Sequence, residues 1–191
     1  MRDGSATRKK LDRCALNLFV QKGITATTIK DIASEAEVAE GTLYRHYKSK
    51  EELAQSLFVN SYEAILVEMR AIIENLNKVE NKIHDMVMLF ARKFDEDPIL
   101  FRYLLLTQHY QMKYLANDEN SAHHLFVQVV VSGMNKHQIP KGDADVYAAM
   151  IIGIVLQAAV SRVYERITRK MVEDVPVLSA AILRVLQAKD T

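Results

Sequence analysis

The sequence predicts an all-α protein of about nine helices, and three observations carry that expectation. Apolar residues recur at three- and four-residue spacing along nearly the whole chain. Six Gly and three Pro among 191 residues leave too few turn formers for an all-β fold. Cap signals of the Ser/Thr-x-x-Asp/Glu kind stand at the start of two periodic segments, Thr28 to Asp31 and Ser49 to Glu52.

The helices follow in order. Leu11, Cys14, Ala15, Leu18 and Phe19 line one face of a first helix over about Thr7–Lys22, and Gly23 stops it. Cys14 on that stripe reads as a small core residue. Thr28 caps a second helix whose Ile29, Ile32, Ala33 and Ala36 face inward. A third, short helix begins at about Ala39 and leads into the polar aromatic segment Gly41-Thr42-Leu43-Tyr44-Arg45-His46-Tyr47. Ser49 opens a long fourth helix through Leu53, Leu57, Tyr62, Ile65, Leu66 and Met69 to about Asn75. The stripe Ile83, Met86, Val87, Phe90 and Phe94 makes the fifth, which ends at Asp95-Glu96-Asp97. Pro98 suits the first turn of the sixth, with acids just before it favourable to the helix dipole. A loop at 116–120 precedes a seventh helix over about Ser121–His137, and Pro140-Lys141-Gly142 is a turn. Two last helices are expected at about Asp143–Lys170 and Val175–Lys189.

Composition bounds the function. The chain is 49% hydrophobic and 26% charged, ordinary for a soluble globular protein. Residues 1–50 hold ten Lys/Arg against six Asp/Glu, a charge of +4, so the rest carries −3 under a total of +1. A basic end on a mildly acidic body fits an anionic partner bound at one end. A single cysteine excludes an intrachain disulfide and suits the cytoplasm. The start MRDGSATRKK lacks the apolar run of a signal peptide. Val146 to Val160 is apolar but broken by Gly153 and Gln157, and short of the ~20 residues of a membrane span, so it reads as a buried helix.

Thr27 to Leu53 is the most informative stretch. Two short helical segments separated by a tight turn, followed by a new helix start, suit a helix-turn-helix, whose second helix enters the major groove. Val38 and Leu43 anchor that helix, leaving Thr42, Tyr44, Arg45 and His46 to face outward. Gly41 lets backbone approach DNA closely. Tyr44, His46 and Lys50 can donate to phosphates, and Thr28 offers a hydroxyl at a helix start. Tyr47 reads as an internal seam residue.

On these residues the sequence resembles the TetR family of transcriptional regulators. The resemblance lies in Leu18-Phe19, Gly23, Thr27-Thr28, Ile32-Ala33, Val38, Gly41-Thr42-Leu43-Tyr44, His46-Tyr47 and Ser49-Lys50-Glu51-Glu52-Leu53, and covers about the first sixty residues. It implies a helix-turn-helix domain over residues 1–48 and a helical ligand-binding and dimerisation domain over 49–191. It also implies a homodimer on a palindromic operator, with a small-molecule effector. Phosphate contacts carry over to Thr28, Tyr44, His46 and Lys50, and groove positions to Ala39, Glu40, Thr42 and Arg45. Arg45 is the candidate for guanine and Thr42 for a thymine methyl. Arg8, Lys9 and Lys10 form a basic arm that clamps the backbone, reaches a minor groove or is simply solvated. Two residues depart from the family pattern. Glu37 stands where the turn has Gly, and a left-handed residue with a Cβ costs roughly 1–2 kcal/mol. Ala39 stands where a capping Ser or Thr is usual, at a cost of about 1 kcal/mol.

In the body, Ile152, Val155, Leu156, Ala159 and Val163, with Leu178, Ala181, Ile182 and Val185, are the expected dimer interface, two helices per subunit. Tyr62, Met86, Phe90, Tyr103, Gln108, His109, Met112, Phe126 and Gln157 are the expected lining of an effector pocket, against the plainer reading of core residues. No Gly-rich phosphate loop, H-E-x-x-H, G-x-S-x-G or cysteine metal spacing occurs, so no enzyme, metal or cofactor is expected. The expected function is a repressor released by a small, largely apolar molecule. Its alternatives are a DNA-binding protein controlled by a protein partner, and a helical ligand carrier or enzyme that keeps only the fold.

Overall fold

A computed structural model describes residues 4–111 and 121–187. Its described residues form helices α1 (Gly4–Ala26), α2 (Ile29–Glu35), α3 (Glu40–Tyr44), α4 (Lys50–Asn75), α5 (Val79–Glu96), α6 (Pro98–Gln111), α7 (Ala122–Asn135), α8 (Ala144–Val163) and α9 (Val175–Leu186), with a 3₁₀ turn at Met171–Asp174. The fold is all-α, as expected. Two compact units divide the chain: residues 1–62 with 99–114, and residues 63–98 with 115–191.

The first unit forms around Leu11, Ala15, Phe19, Ile32, Ala33, Leu43, Leu53 and Phe58, all buried. Each leucine, isoleucine or phenylalanine among them contributes on the order of 1.5–3 kcal/mol by leaving water. Gly23 breaks α1 with φ 84°, a left-handed value that glycine adopts without strain. Phe19 stacks on Tyr103 with ring centroids 6.1 Å apart, and the buried Tyr103 hydroxyl donates to the Ala54 carbonyl at 2.7 Å. Burial pushes that phenol's pKa well up.

The second unit packs α7 on α8 and α5 on α9. Its core is Val79, Ile83, Met86, Leu125, Val129, Val130, Ile151, Ala159 and Ile182. A Cβ at Gly133 would collide with Val79 Cγ2, so glycine is what lets α5 and α7 approach.

The eighth helix is shorter than its periodicity predicts. It ends at Val163, and Glu165 turns the chain with φ 57°. The cause is long-range. Arg162 donates to the carbonyls of Ala158 (2.9 Å) and Arg169 (3.1 Å), and its guanidinium also pairs with Asp174. Arg169 reaches the same carboxylate at 2.6 and 2.8 Å. These guanidinium groups, Arg169 first, hold the Asp174 carboxyl below the usual range against its burial. Asp95, from the acidic trio, accepts the Met171 and Val172 N–H groups at 2.9 and 3.0 Å and so caps the 3₁₀ turn.

Candidate nucleic-acid interface

The interface is built from α2, the following turn and α3. Thr28 Oγ1 accepts from Asp31 N–H (3.1 Å) while Asp31 Oδ2 accepts from Thr28 N–H (2.8 Å), a reciprocal capping box. Lys22 Nζ donates to the same Asp31 oxygen at 2.7 Å. Lys22 first, then the Thr28 backbone, lower the Asp31 pKa to about 2. Ser49 Oγ accepts from Glu52 N–H (3.1 Å), and Glu52 reaches back one residue further than a reciprocal box, to Lys48 N–H (2.6 Å).

Both departures from the family pattern are visible in the backbone. Glu37 has φ 52°, and Ala39 caps α3 with no side-chain hydrogen bond. The strained turn gains a tie instead: Lys10 Nζ meets Glu37 Oε2 at 2.9 Å and lowers its pKa. The pair is exposed and therefore a weak restraint.

Leu43 is fully buried and points α3 inward. Around it Ala39, Glu40, Gly41, Tyr44 and Arg45 are exposed, as is Thr28, while Thr42 and His46 are half-buried. Tyr44 presents its ring 54% exposed. Arg45 Nη2 donates to Thr42 Oγ1 at 3.1 Å, so the two candidate base readers orient each other. Glu40 lies in the first turn, where the helix dipole favours an acid. At Gly41 a Cβ would meet nothing within 4 Å, so packing inside the protein does not require glycine there.

Tyr47, expected as a seam residue, is 3% exposed. Its hydroxyl donates to Asp12 Oδ1 (2.6 Å) and accepts from Arg8 Nε (2.9 Å), and the Arg8 guanidinium also covers the ring. Burial, then the Asp12 bond, push its phenol up to about 12. Arg8 is thus tied to the domain, through a contact its sequence position did not signal. Lys50 is directed inward as well: its Nζ donates to the carbonyls of Thr27 (2.7 Å) and Thr25 (3.2 Å). Thr27 is itself a fully buried hub whose hydroxyl donates to the Gly23 carbonyl at 2.8 Å.

The family model described as bacterial regulatory proteins, tetR family, matches residues 13–57, the stretch that contains this helix-turn-helix. Residues 13–57 are thus similar to the DNA-binding domain of the TetR family. A repressor named KstR2 from Mycobacterium tuberculosis is 30% identical to the chain over 91 residues, 48% of this chain and 44% of KstR2. The chain spans about half the length of the curated relatives it matches. Among solved structures, a putative fatty acid metabolism regulator from Clostridium perfringens has a TM-score of 0.80 at 22% identity, covering 94% of this chain and all of that one. FadR from Bacillus subtilis in complex with stearoyl-CoA has a TM-score of 0.74 at 19% identity, covering 96% and 99%. These likenesses show a shared fold over nearly the whole chain.

Beyond the TetR-like domain, the expected pocket residues fall into two sets, one in each unit. Tyr103 is buried, Tyr62 stacks on Phe58 and Gln108 is half-buried, whereas His109 is exposed. Met86 and Phe126 are buried, Phe90 is half-buried, and Gln157 is exposed. Met112 lies outside the described residues. Two recesses of about 440 and 500 Å³ between α5 and α9 are lined by none of these.

Of the expected dimer residues, Val155, Ala159 and Ile182 face into the second unit's own core. Ile152, Leu156, Val163, Leu178, Ala181 and Val185 are half-buried. The outward face of α8 is instead Val146, Ala149, Met150, Gly153 and Gln157, all exposed. Ala144–Val163 is 20 residues long and holds an 18-residue window of mean hydropathy 1.8, enough by length and composition to cross a membrane; 33% of that window is buried.

Proposed function

We propose that this protein is a homodimeric repressor that binds a palindromic DNA operator through α3 and is released by a small, largely apolar molecule. The observation that carries the reading is the two-sidedness of α3: Leu43 is fully buried while Tyr44 stands 54% exposed beside an exposed Arg45. Phosphates meet Thr28, Tyr44 and His46, and Arg45 presents its fork to guanine O6 and N7. Two half-sites one turn apart lie about 34–36 Å from centre to centre. A change of a few ångströms in that spacing breaks the contacts of one half-site.

The apolar outer face of α8 supports the dimer. Val146 and Met150 are 47% and 46% exposed, and Gly153 has open space where a Cβ would stand, so a second helix can approach closely. A partner subunit is the economical cover for that face, because α8 already packs its other sides on α7 and α9. α4 begins beside the interface and contributes its second half to the body, which makes it the route from an effector to α3. FadR's complex with stearoyl-CoA makes long-chain acyl thioesters the first effectors to try. The protein then works in the cytoplasm, beside the DNA.

The test is selection of bound fragments from a genomic library, with Arg45→Ala alongside. The reading expects wild type to recover a palindrome that Arg45→Ala loses. Recovery of no sequence by a folded wild-type protein would end it. One observation favours control by a protein partner instead: Ile99, Leu106 and Tyr110, on one side of α6, are 37%, 46% and 75% exposed. Release of the operator by a small molecule alone would count against that second reading.

A further inference from the structure

We infer that Lys50 is a positioning residue for Thr28, acting through the peptide group between Thr27 and Thr28, and is not itself a phosphate ligand. The inference rests on the DNA-binding reading above and revises one residue of it.

That single peptide group is gripped at both ends. Its carbonyl oxygen, on Thr27, accepts from Lys50 Nζ at 2.7 Å. Its N–H, on Thr28, donates to Asp31 Oδ2 at 2.8 Å. Asp31 is in turn fixed by Lys22 at 2.7 Å. A cation and an anion therefore hold the two poles of one amide dipole, which fixes both the tilt and the rotation of the peptide plane. The Thr28 hydroxyl sits one Cα further on. Its oxygen already accepts from Asp31 N–H, so its own proton is left to be donated outward from an exposed residue.

The Lys50 side chain is only 18% exposed. Of the three ammonium donors, two are used on Thr27 and Thr25, and Glu51 Oε1 lies 3.9 Å away. Turning to a phosphate would break two charge-assisted bonds. It would also strand the carbonyl of Thr27, a residue with no exposed surface. With two donors committed and the side chain only 18% exposed, the geometry favours the grip on Thr27 over a phosphate contact.

The experiment uses the full chain with Lys50→Met, which keeps the stem and removes the ammonium. In the free protein, amide exchange at Thr28 and Asp31 is expected to accelerate. On the recovered operator, affinity is expected to fall roughly tenfold while the slope of log K against log salt stays at its wild-type value. Thr28→Val should cost less in the Lys50→Met background than alone, because Thr28 is then already misplaced. Lys50→Gln, which keeps an uncharged NH2 donor group, should restore most of the exchange protection and also guards against a variant that fails to fold.

A slope reduced by about 0.9 per chain, with additive effects of the two substitutions, would make Lys50 a phosphate ligand and overturn the inference. So would unchanged exchange at Thr28. A wild-type chain with no salt-dependent affinity for DNA would remove the regulator reading itself, and this inference with it. That failure is recognisable because it occurs before any substitution.

Discussion

Gly41→Ala should make the protein more stable and a worse DNA binder, and the two effects can be worked separately. Gly41 lies inside α3 and has no positive φ, and an added methyl meets no atom within 4 Å. The substitution therefore incurs no clash and removes the conformational freedom that glycine loses on folding. The gain is about 0.5–1 kcal/mol, or roughly 1–4 °C in Tm for a chain of this size. On the operator the same methyl stands between backbone and DNA. If it holds α3 off far enough to lose one charge-assisted bond per half-site, the dimer loses roughly 3 kcal/mol or more, about a hundredfold in affinity. Thermal unfolding and operator titration of the same preparation measure both. Undiminished affinity in Gly41→Ala would refute the close approach, and a fall in Tm would refute the open space around Cβ.

Ala39→Ser supplies the missing cap of α3 and should add about 1 kcal/mol of stability, read as a higher urea midpoint at unchanged slope. Arg162→Met removes one partner of a buried pair and leaves the Arg169 carbonyl without its donor. It should cost roughly 3 kcal/mol, whereas Arg169→Met, whose side chain is 59% exposed, should cost much less. Equal losses in the two would contradict the account of where α8 stops. The Asp31 carboxyl should titrate near 2 by NMR and move up in Lys22→Met. Its folded pKa lies below the unfolded value of about 3.9, so its contribution to stability is complete above that value. It is lost as pH falls towards 2.

What the sequence disclosed was what neighbouring residues decide. The Thr28–Asp31 box, the Gly23 break and the two departures at Glu37 and Ala39 are all set within four residues along the chain, and each is readable from residue type. The end of α8 was not readable, because it depends on Arg162 meeting Asp174 twelve residues on. The role of Asp95 was hidden for the same reason, its N–H partners being 76 and 77 residues away. The α8 faces were ambiguous because a helix apolar nearly all round gives no phase. Burial alone separates the inward Val155 and Ala159 from the outward Val146 and Met150. The partners of Lys50 were hidden too, since the residue type says nothing of carbonyls 23 and 25 residues upstream.

The central claim is that two copies of α3 sit in successive major grooves on one side of a duplex. Hydroxyl-radical footprinting of the protein on a recovered fragment tests it most directly. The account predicts two protected segments related by two-fold symmetry and about one helical turn apart, both lost in Arg45→Ala. A single protected segment, or cleavage unchanged at saturating protein, would contradict it.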